Sequence, residues 1–412
     1  MKLPGPATRE RVWPYAVVAV GLATAGVAAS LWRPLAPPPG DVITELDDFA
    51  PAVLDAVRAY RGPRRLAAVI NLAVAAGVPV LLVATEDGRR LLRRVAGPRE
   101  HSPRRAAAVG VVIVAAADLV ALPIAYGFGF VHEERWSFRT SGVGGWARDW
   151  VISRGLGWTG AALGAALLAV GLRRWPRTWH WRVVPALTGI AAALVLAAPV
   201  VVEPLFLRTT PLDPGPTRTA VEDVLSRAGI GDARVLVGDA SRRTTKVNAY
   251  VSGLGPTRRV VLFDTLLELP PERVASVVAH ELAHRRNGDL ARGVALTAGA
   301  ALVVALALRA ASRSRLADLL GVRSTSDPRL VGLLLAGGLV LFTVGIPIQN
   351  WFSRRVEAAA DHGAMELTGD PATLVEVQRI FVVRDLADPE PPAWSTFLFA
   401  SHPPPAERIR RS

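Results

Sequence analysis

The sequence predicts a mainly α-helical, polytopic membrane protein with a small α/β domain. Two features of the 412 residues support this fold class: 51% of them are hydrophobic, and these gather in long runs of Ala, Val, Leu and Gly separated by short arginine-rich segments. Soluble domains of this size are usually less apolar. Alternating apolar runs and basic loops are typical of chains that cross a bilayer several times.

Seven apolar runs are candidate membrane spans. A bilayer core needs about 20 apolar residues, within a range of roughly 17–25, and most of the runs meet this length, although the sixth is short. They are Trp13–Trp32, Leu66–Ala84, Ala106–Phe130, Leu156–Leu172, Val183–Val202, Val294–Leu308 and Leu330–Ile348. The first would also suit a signal peptide, but its Trp residues at both ends favour a retained helix.

The polar stretch between the fifth and sixth spans, about Glu203–Leu290, is predicted to be a small α/β unit. Helical spacing, alternating apolar residues and a Pro-Pro-Glu helix start indicate its elements. They are a helix over Thr217–Ala228, strands over Ala233–Gly238, Val247–Ser252 and Arg259–Phe263, and a helix opened by Pro270-Pro271-Glu272. After the seventh span, Asn350–Thr368 is predicted to form a separate helix.

Charge and cysteine content narrow the classes of partner and site. The formal net charge is +13, which in a soluble protein would favour nucleic-acid binding. Here most arginines flank apolar runs, where they meet lipid head groups, so we expect a lipid bilayer as partner and no nucleic acid. The chain has no cysteine, so a bound metal would use His, Asp or Glu.

The motif HELAH, His280–His284, lies on the helix that Pro270-Pro271-Glu272 opens. Positions i and i+4 share a helix face, so His280 and His284 can bind one Zn²⁺, and Glu281 can take a proton from water there. With seven His in 412 residues, a chance match is expected on the order of 0.005 times per chain. The alternative is a solvated helix with two surface histidines.

A catalytic zinc site needs three protein ligands and an open position. Glu357, in the segment SRRVEAAAD, is the best candidate for the third ligand. Asp361 follows it at i+4 and would accept the second N–H of a ligand histidine. The alternative is that both acids form ordinary surface ion pairs with Arg354 and Arg355.

With these motifs the sequence resembles the type I CAAX prenyl protease family, integral-membrane zinc endopeptidases of the gluzincin type. The resemblance covers most of the chain and is weakest before about residue 60. Besides HELAH and SRRVEAAAD, the matching segments are LPIAYGFGFVHEERWSF (Leu122–Phe138), EPLFLRTTPL (Glu203–Leu212), SRRTTKVNAYVSG (Ser241–Gly253), RRVVLFDTLL (Arg258–Leu267) and SHPPPAERI (Ser401–Ile409).

The resemblance implies about seven helices around a water-filled intramembrane chamber, and hydrolysis of peptide bonds near the C-terminus of prenylated, CAAX-type peptides. It implies one Zn²⁺ per chain, with His280, His284 and Glu357 as ligands and Glu281 as the base. His402 would donate to the oxyanion, or else be a turn residue before a proline, and Arg408 would stand behind the ligands. The NAY residues would bind the substrate backbone as an added strand; they are Asn248, Ala249 and Tyr250.

Three positions depart from the family pattern and bear on substrate preference. Ala283 replaces the usual glycine of the zinc motif, and Lys246-Val247 replaces a polar run that contains His. Asn287-Gly288-Asp289 is more similar to the heat-shock membrane protease branch, so quality control of membrane proteins is an alternative function. A third possible function is that of a non-catalytic membrane scaffold. The intact Glu281 argues against it, because an inactive site need not keep its base. The sequence does not indicate an oligomeric state.

We expect two domains in a multi-pass protein of the cell membrane. Residues 1–207 would form a membrane domain of five spans, and residues 208–412 a zinc metallopeptidase domain with two further spans at about 294–308 and 330–348. The family places the zinc domain in the cytosol. The short loops on the opposite side, however, carry roughly twice as many Lys and Arg, which taken literally places the zinc domain outside. The sequence leaves the side open.

Overall fold

The computed structural model describes residues 49–97, 102–230, 233–253, 258–312 and 329–412. These residues are mostly helical, as predicted. The main helices are α1 (Pro51–Ala84), α2 (Glu86–Ala96), α3 (Pro103–Tyr126), α4 (Val143–Arg174), α5 (Trp179–Val201), α6 (Pro216–Arg227), α7 (Pro271–Arg286), α8 (Asp289–Ala311), α9 (Arg329–Thr368), α10 (Pro371–Asp385), α11 (Ala393–Phe399) and α12 (Pro405–Arg411).

Six helices in the described ranges are long and apolar enough to cross a membrane. They are α1, α3 with its continuation to Arg135, α4, α5, α8 and α9. They correspond to the second to seventh predicted spans, while the first, Trp13–Trp32, lies outside the described residues. The polytopic helical architecture is therefore confirmed.

Helix α1 begins well before the predicted span, at Pro51 instead of Leu66. The arginines before Leu66 mark where the apolar segment begins, but the helix itself begins further upstream. The added turns lie outside the apolar segment and pack on the rest of the protein. Tyr60 is fully buried, and Nε of Arg61 donates to the carbonyl oxygen of Leu386 at 2.6 Å.

Helix α9 runs without a break through Pro347, so the predicted separation into a span ending at Ile348 and a second helix beginning at Asn350 is wrong. Proline removes one backbone hydrogen bond, which a membrane helix tolerates when neighbours satisfy the freed group. The seventh span and the segment that carries Glu357 and Asp361 are consequently one continuous rod of 40 residues.

The α/β unit contains a four-stranded sheet in the order β1-β2-β4-β3. Strands β2 and β4 are parallel, and β1 and β3 pair antiparallel with β2 and β4. The strands are β1 (Thr209–Pro211), β2 (Arg234–Gly238), β3 (Ala249–Ser252) and β4 (Arg259–Phe263). Three of them match the predicted strands, whereas β1 was missed because three residues show no clear alternation. Strand β3 lies at one edge of the sheet.

Helix α7 lies between this sheet and α9. Val274 and Val278 share one face of α7, are fully buried, and belong to the core beneath the sheet. On another face, a Cβ added at Gly363 of α9 would lie 2.7 Å from the Cβ of Ala283. The two helices therefore come close beside His284, and this closeness positions the site.

Lys246 links the α/β unit to the membrane helices. Its Nζ lies 2.7 Å from Oε2 of Glu133 and donates to the hydroxyl of Tyr60 at 2.7 Å. Burial lowers the pKa of Lys246, and the hydrogen bond to Glu133 opposes that shift. The segment that leads into β3 is thus held by α1 and by the continuation of α3.

Candidate metal centre

Helices α7 and α9 bring together the ligand cluster, by which we mean His280, His284 and Glu357. Nε2 of His280 lies 3.2 Å from Oε2 of Glu357, and Nε2 of His284 lies 3.5 Å from Oε1. The donor atoms of all three residues lie within 4.8 Å of one another. His280 and Glu357 are buried, so the cluster is not a set of solvated surface residues.

The other ring nitrogen of each histidine faces an aspartate. Nδ1 of His280 lies 2.9 Å from Oδ1 of Asp361, and Nδ1 of His284 lies 3.0 Å from Oδ2 of Asp289. Because a carboxylate accepts, Nδ1 carries the proton and each Nε2 keeps a lone pair directed at the cluster. The sequence reasoning named Asp361 for this place and missed Asp289.

Arg408 reaches the site from the C-terminal helix α12 and binds Asp361. Its Nε donates to Oδ2 of Asp361 at 2.8 Å, and both side chains are buried. Nη2 of Arg408 is also 3.5 Å from Nδ1 of His280, but Asp361 is the acceptor for both groups. The guanidinium of Arg408 therefore offsets the negative charge of the buried Asp361 carboxylate and fixes its orientation.

Glu281 lies between the histidines and the outer edge of β3. The backbone N–H of Val251 lies close enough to the carboxyl group of Glu281 to lower its pKa. Burial raises the pKa of Glu281, and the nearby imidazoles of His280 and His284 oppose this. A carboxylate with a raised pKa is a stronger base than an exposed one.

His402 stands on the open side of the cluster. Its Nε2 is 3.3 Å from Oε2 of Glu357, and Nδ1 is 2.9 Å from the hydroxyl of Ser401. Its side chain is 59% exposed, against 10% for Glu357. The structure thus brings His402 to the ligands while leaving it accessible from outside.

The NAY residues lie at and just before the edge strand β3. Oδ1 of Asn248 accepts the N–H of Ala249 at 2.9 Å, and the carbonyl oxygen of Asn248 accepts the N–H of Phe263 at 3.0 Å. Tyr250 points its ring edge-on to Phe263. Within the described residues β3 pairs with β4 alone, and Val251 of this strand lies near Glu281.

The donor set fits a zinc ion. Zinc binds nitrogen and oxygen at about 2.0–2.1 Å, so two ligand atoms at tetrahedral positions lie about 3.3 Å apart. Nε2 of each histidine lies about this far from one oxygen of Glu357, at 3.2 Å from Oε2 for His280 and at 3.5 Å from Oε1 for His284. Two neutral imidazoles, one carboxylate and an open side make a typical catalytic zinc site.

Comparisons with known proteins agree with this chemistry. Residues 213–411 match the sequence profile of Peptidase family M48. CAAX prenyl protease 1 of Saccharomyces cerevisiae is 31% identical over 42% of this chain and 38% of its own length. A Protease HtpX homolog of Acidiphilium cryptum is 32% identical over 46% of this chain and 70% of its own length.

The fold has a solved counterpart. The crystal structure of S. mikatae Ste24p matches with a TM-score of 0.70 at 20% sequence identity, over 100% of both chains. In sequence, this chain spans about two fifths of the yeast CAAX prenyl protease and more than two thirds of the HtpX homolog. The chain is therefore a multi-pass membrane protein that belongs to peptidase family M48, and its resemblance to the type I CAAX prenyl protease family is confirmed.

Proposed function

We propose that this protein is a zinc-dependent endopeptidase that cleaves membrane-associated or prenylated, CAAX-type peptides. The observation that carries the proposal is the position of Glu357. This candidate ligand lies on α9, which is continuous with the last membrane span, and it meets two candidate ligands from α7. A site built across these two helices is held close to the bilayer, where a lipidated peptide is concentrated.

His280, His284 and Glu357 would hold one Zn²⁺, and Asp361, with Arg408, would keep His280 in the required tautomer. When bound, the ion supplies Lewis acidity to a substrate carbonyl and lowers the pKa of water. The chain's own residues then handle the protons and the substrate.

Glu281 would take a proton from the attacking water and pass it to the leaving amine, in keeping with its raised pKa. His402, on the accessible side, would donate a hydrogen bond to the carbonyl oxygen as negative charge develops there. The free edge of β3 would pair with the substrate backbone, which brings a peptide bond beside Glu281. Asn248, Ala249 and Tyr250 would shape that edge.

The variant Glu281→Gln tests this mechanism. The amide keeps the size of the side chain but cannot act as a base, so we expect cleavage to fall by about 10²–10⁴-fold while the protein still binds one zinc ion. The matched control is Glu272→Gln, an exposed position in the first turn of the same helix. Equal cleavage by wild type and Glu281→Gln would refute the assignment.

The substrate class is tested with two peptides of identical sequence, one carrying a farnesyl group on its cysteine and one not. Faster cleavage of the farnesylated peptide supports a prenyl-peptide protease. The second candidate is a quality-control protease, favoured by the match to the HtpX homolog. Equal cleavage of both peptides, together with cleavage of unfolded membrane-protein fragments, would support that function instead.

A further inference from the structure

A cleft rich in arginine lies where two membrane helices meet the α/β unit. Its wall is made by the first turns of α4, the segment between α5 and β1, and a short 3₁₀ turn after β2. We name it the arginine cleft, defined by Arg148, Arg208, Arg242 and Arg243. Asp149 is the one acidic residue among the residues that line it.

The positive charges of the arginine cleft outnumber the negative charges of the residues around them. Nε of Arg243 donates to Oδ2 of Asp149 at 2.6 Å, and Nη1 of Arg148 donates to Oδ1 of the same aspartate at 2.9 Å. Arg242 pairs with Asp239, just outside the lining, at 2.7 Å. Two carboxylates thus face four guanidinium groups, which leaves an excess of positive charge.

One buried donor atom beside the cleft also lacks an acceptor. Nη1 of Arg243 is buried and has no hydrogen-bond partner within the described ranges. A buried N–H without an acceptor costs free energy. A ligand with several anionic oxygens would accept hydrogen bonds from the exposed Arg208 and Arg242.

The cleft opens beside apolar surface. Val143, at the start of α4, and Val200 and Val201, at the end of α5, are 55%, 64% and 59% exposed. Helix α5 is apolar up to its end and long enough to cross a membrane, so Val200 and Val201 are placed to face lipid tails, whereas Val143 precedes the apolar part of α4. Phe206 and its neighbours continue the apolar lining into the cleft itself. Positive charge therefore lies directly at the end of a lipid-facing surface.

We propose that the arginine cleft binds the phosphate of an anionic phospholipid, with the acyl chains lying along the exposed end of α5. Arginine binds phosphate oxygens through two parallel N–H groups, and basic pockets between membrane helices suit lipid head groups. The anionic head group matches the excess charge, and the acyl chains match the exposed valines. This site is separate from the ligand cluster and does not depend on zinc.

The double variant Arg208→Gln/Arg242→Gln tests the site, because both side chains are exposed and their loss leaves Arg243 and Asp149 paired. The full-length protein in neutral detergent is titrated with short-chain phosphatidylglycerol, and binding is followed through the unfolding temperature. The control is Arg89→Gln/Arg90→Gln, which removes equal charge from α2, outside the cleft. Short-chain phosphatidylcholine and inorganic phosphate are titrated in parallel.

We expect phosphatidylglycerol to raise the unfolding temperature of the wild type and of the control. The cleft variant should bind it about tenfold or more weakly, since two charge-assisted contacts are lost. Equal binding by the cleft variant and the control would overturn the proposal. So would equal protection by phosphatidylcholine, equal protection by inorganic phosphate alone, or displacement of the lipid by a peptide with a free C-terminal carboxylate.

Discussion

Oδ2 of Asp289 lies 3.0 Å from Nδ1 of His284, and this pair repeats the arrangement of Asp361 with His280, at 2.9 Å. Each candidate histidine ligand therefore has its own carboxylate. Asp289 is the first residue of α8, so the sixth span begins at the site itself. The orientation of His284 is thus coupled to a membrane helix.

The variant Asp289→Asn should weaken zinc binding by about 10–100-fold, the usual effect of losing a carboxylate behind a ligand histidine. The amide keeps its shape and still accepts through its oxygen, but it lacks the charge that holds the Nδ1 proton. Competition with a chelator of known affinity measures the change. Asp223→Asn, at an exposed ion pair on α6, is the control, and an unchanged zinc affinity in Asp289→Asn would contradict the assignment.

Local spacing predicted the residues that lie on one helix face, but not those that approach from elsewhere. His280 and His284 are four residues apart on one helix, as are Glu357 and Asp361, so their shared direction follows from helix geometry. Asp289 lies beyond the end of α7, after Gly288 with φ of 71°. A left-handed turn redirects the chain, so spacing alone could not show that Asp289 returns to His284.

The sequence predicted which helices are present better than it predicted where they begin and end. The second span was predicted to begin at Leu66, after a run of arginines, and the seventh to end at Ile348. In the structure, both helices continue past these residues because their polar ends pack on the α/β unit. Tyr60 is fully buried there, and the amide of Asn350 donates to the carbonyl oxygen of Leu398 at 2.8 Å. A local hydropathy pattern contains no information about those tertiary contacts.

The variant His402→Ala should separate catalysis from metal binding. If His402 donates to the oxyanion, its loss lowers kcat by about 10²–10³-fold and leaves the zinc content unchanged. Peptide cleavage and metal content are measured on the same preparation, with His362→Ala, an exposed histidine on α9, as the control. Loss of zinc together with activity would instead make His402 a further ligand, and full activity would exclude both roles.

The close approach of α7 and α9 predicts a rescue experiment. Gly363→Ala would place its Cβ 2.7 Å from the Cβ of Ala283, so the helices must separate and the protein should lose about 1–3 kcal/mol of stability. Adding Ala283→Gly should restore the unfolding temperature, because it removes the opposing methyl group. Gly345→Ala on the same helix meets open space and serves as the control. A Gly363→Ala variant as stable as Gly345→Ala would contradict this packing.

The side of the membrane that the zinc domain faces is open to direct test, and we expect it to be cytosolic, as the family relationship implies. Helix α1 begins beside the α/β unit, where the hydroxyl of Tyr60 accepts a hydrogen bond from Lys246, and its 34 residues extend about 50 Å, more than the thickness of a bilayer core. Its far end leads directly into α2. Ser226 on α6 and Arg90 on α2 therefore lie on opposite sides of the membrane.

Because the chain has no cysteine, Ser226→Cys and Arg90→Cys each introduce one thiol at an exposed position. A membrane-impermeant thiol reagent applied to intact cells should label the cysteine at position 90 and leave the one at 226 unlabelled until the cells are lysed. The reverse pattern would place the zinc domain outside. That result would agree with the excess of arginine in the opposite loops, and substrates would then have to be sought outside the cytosol.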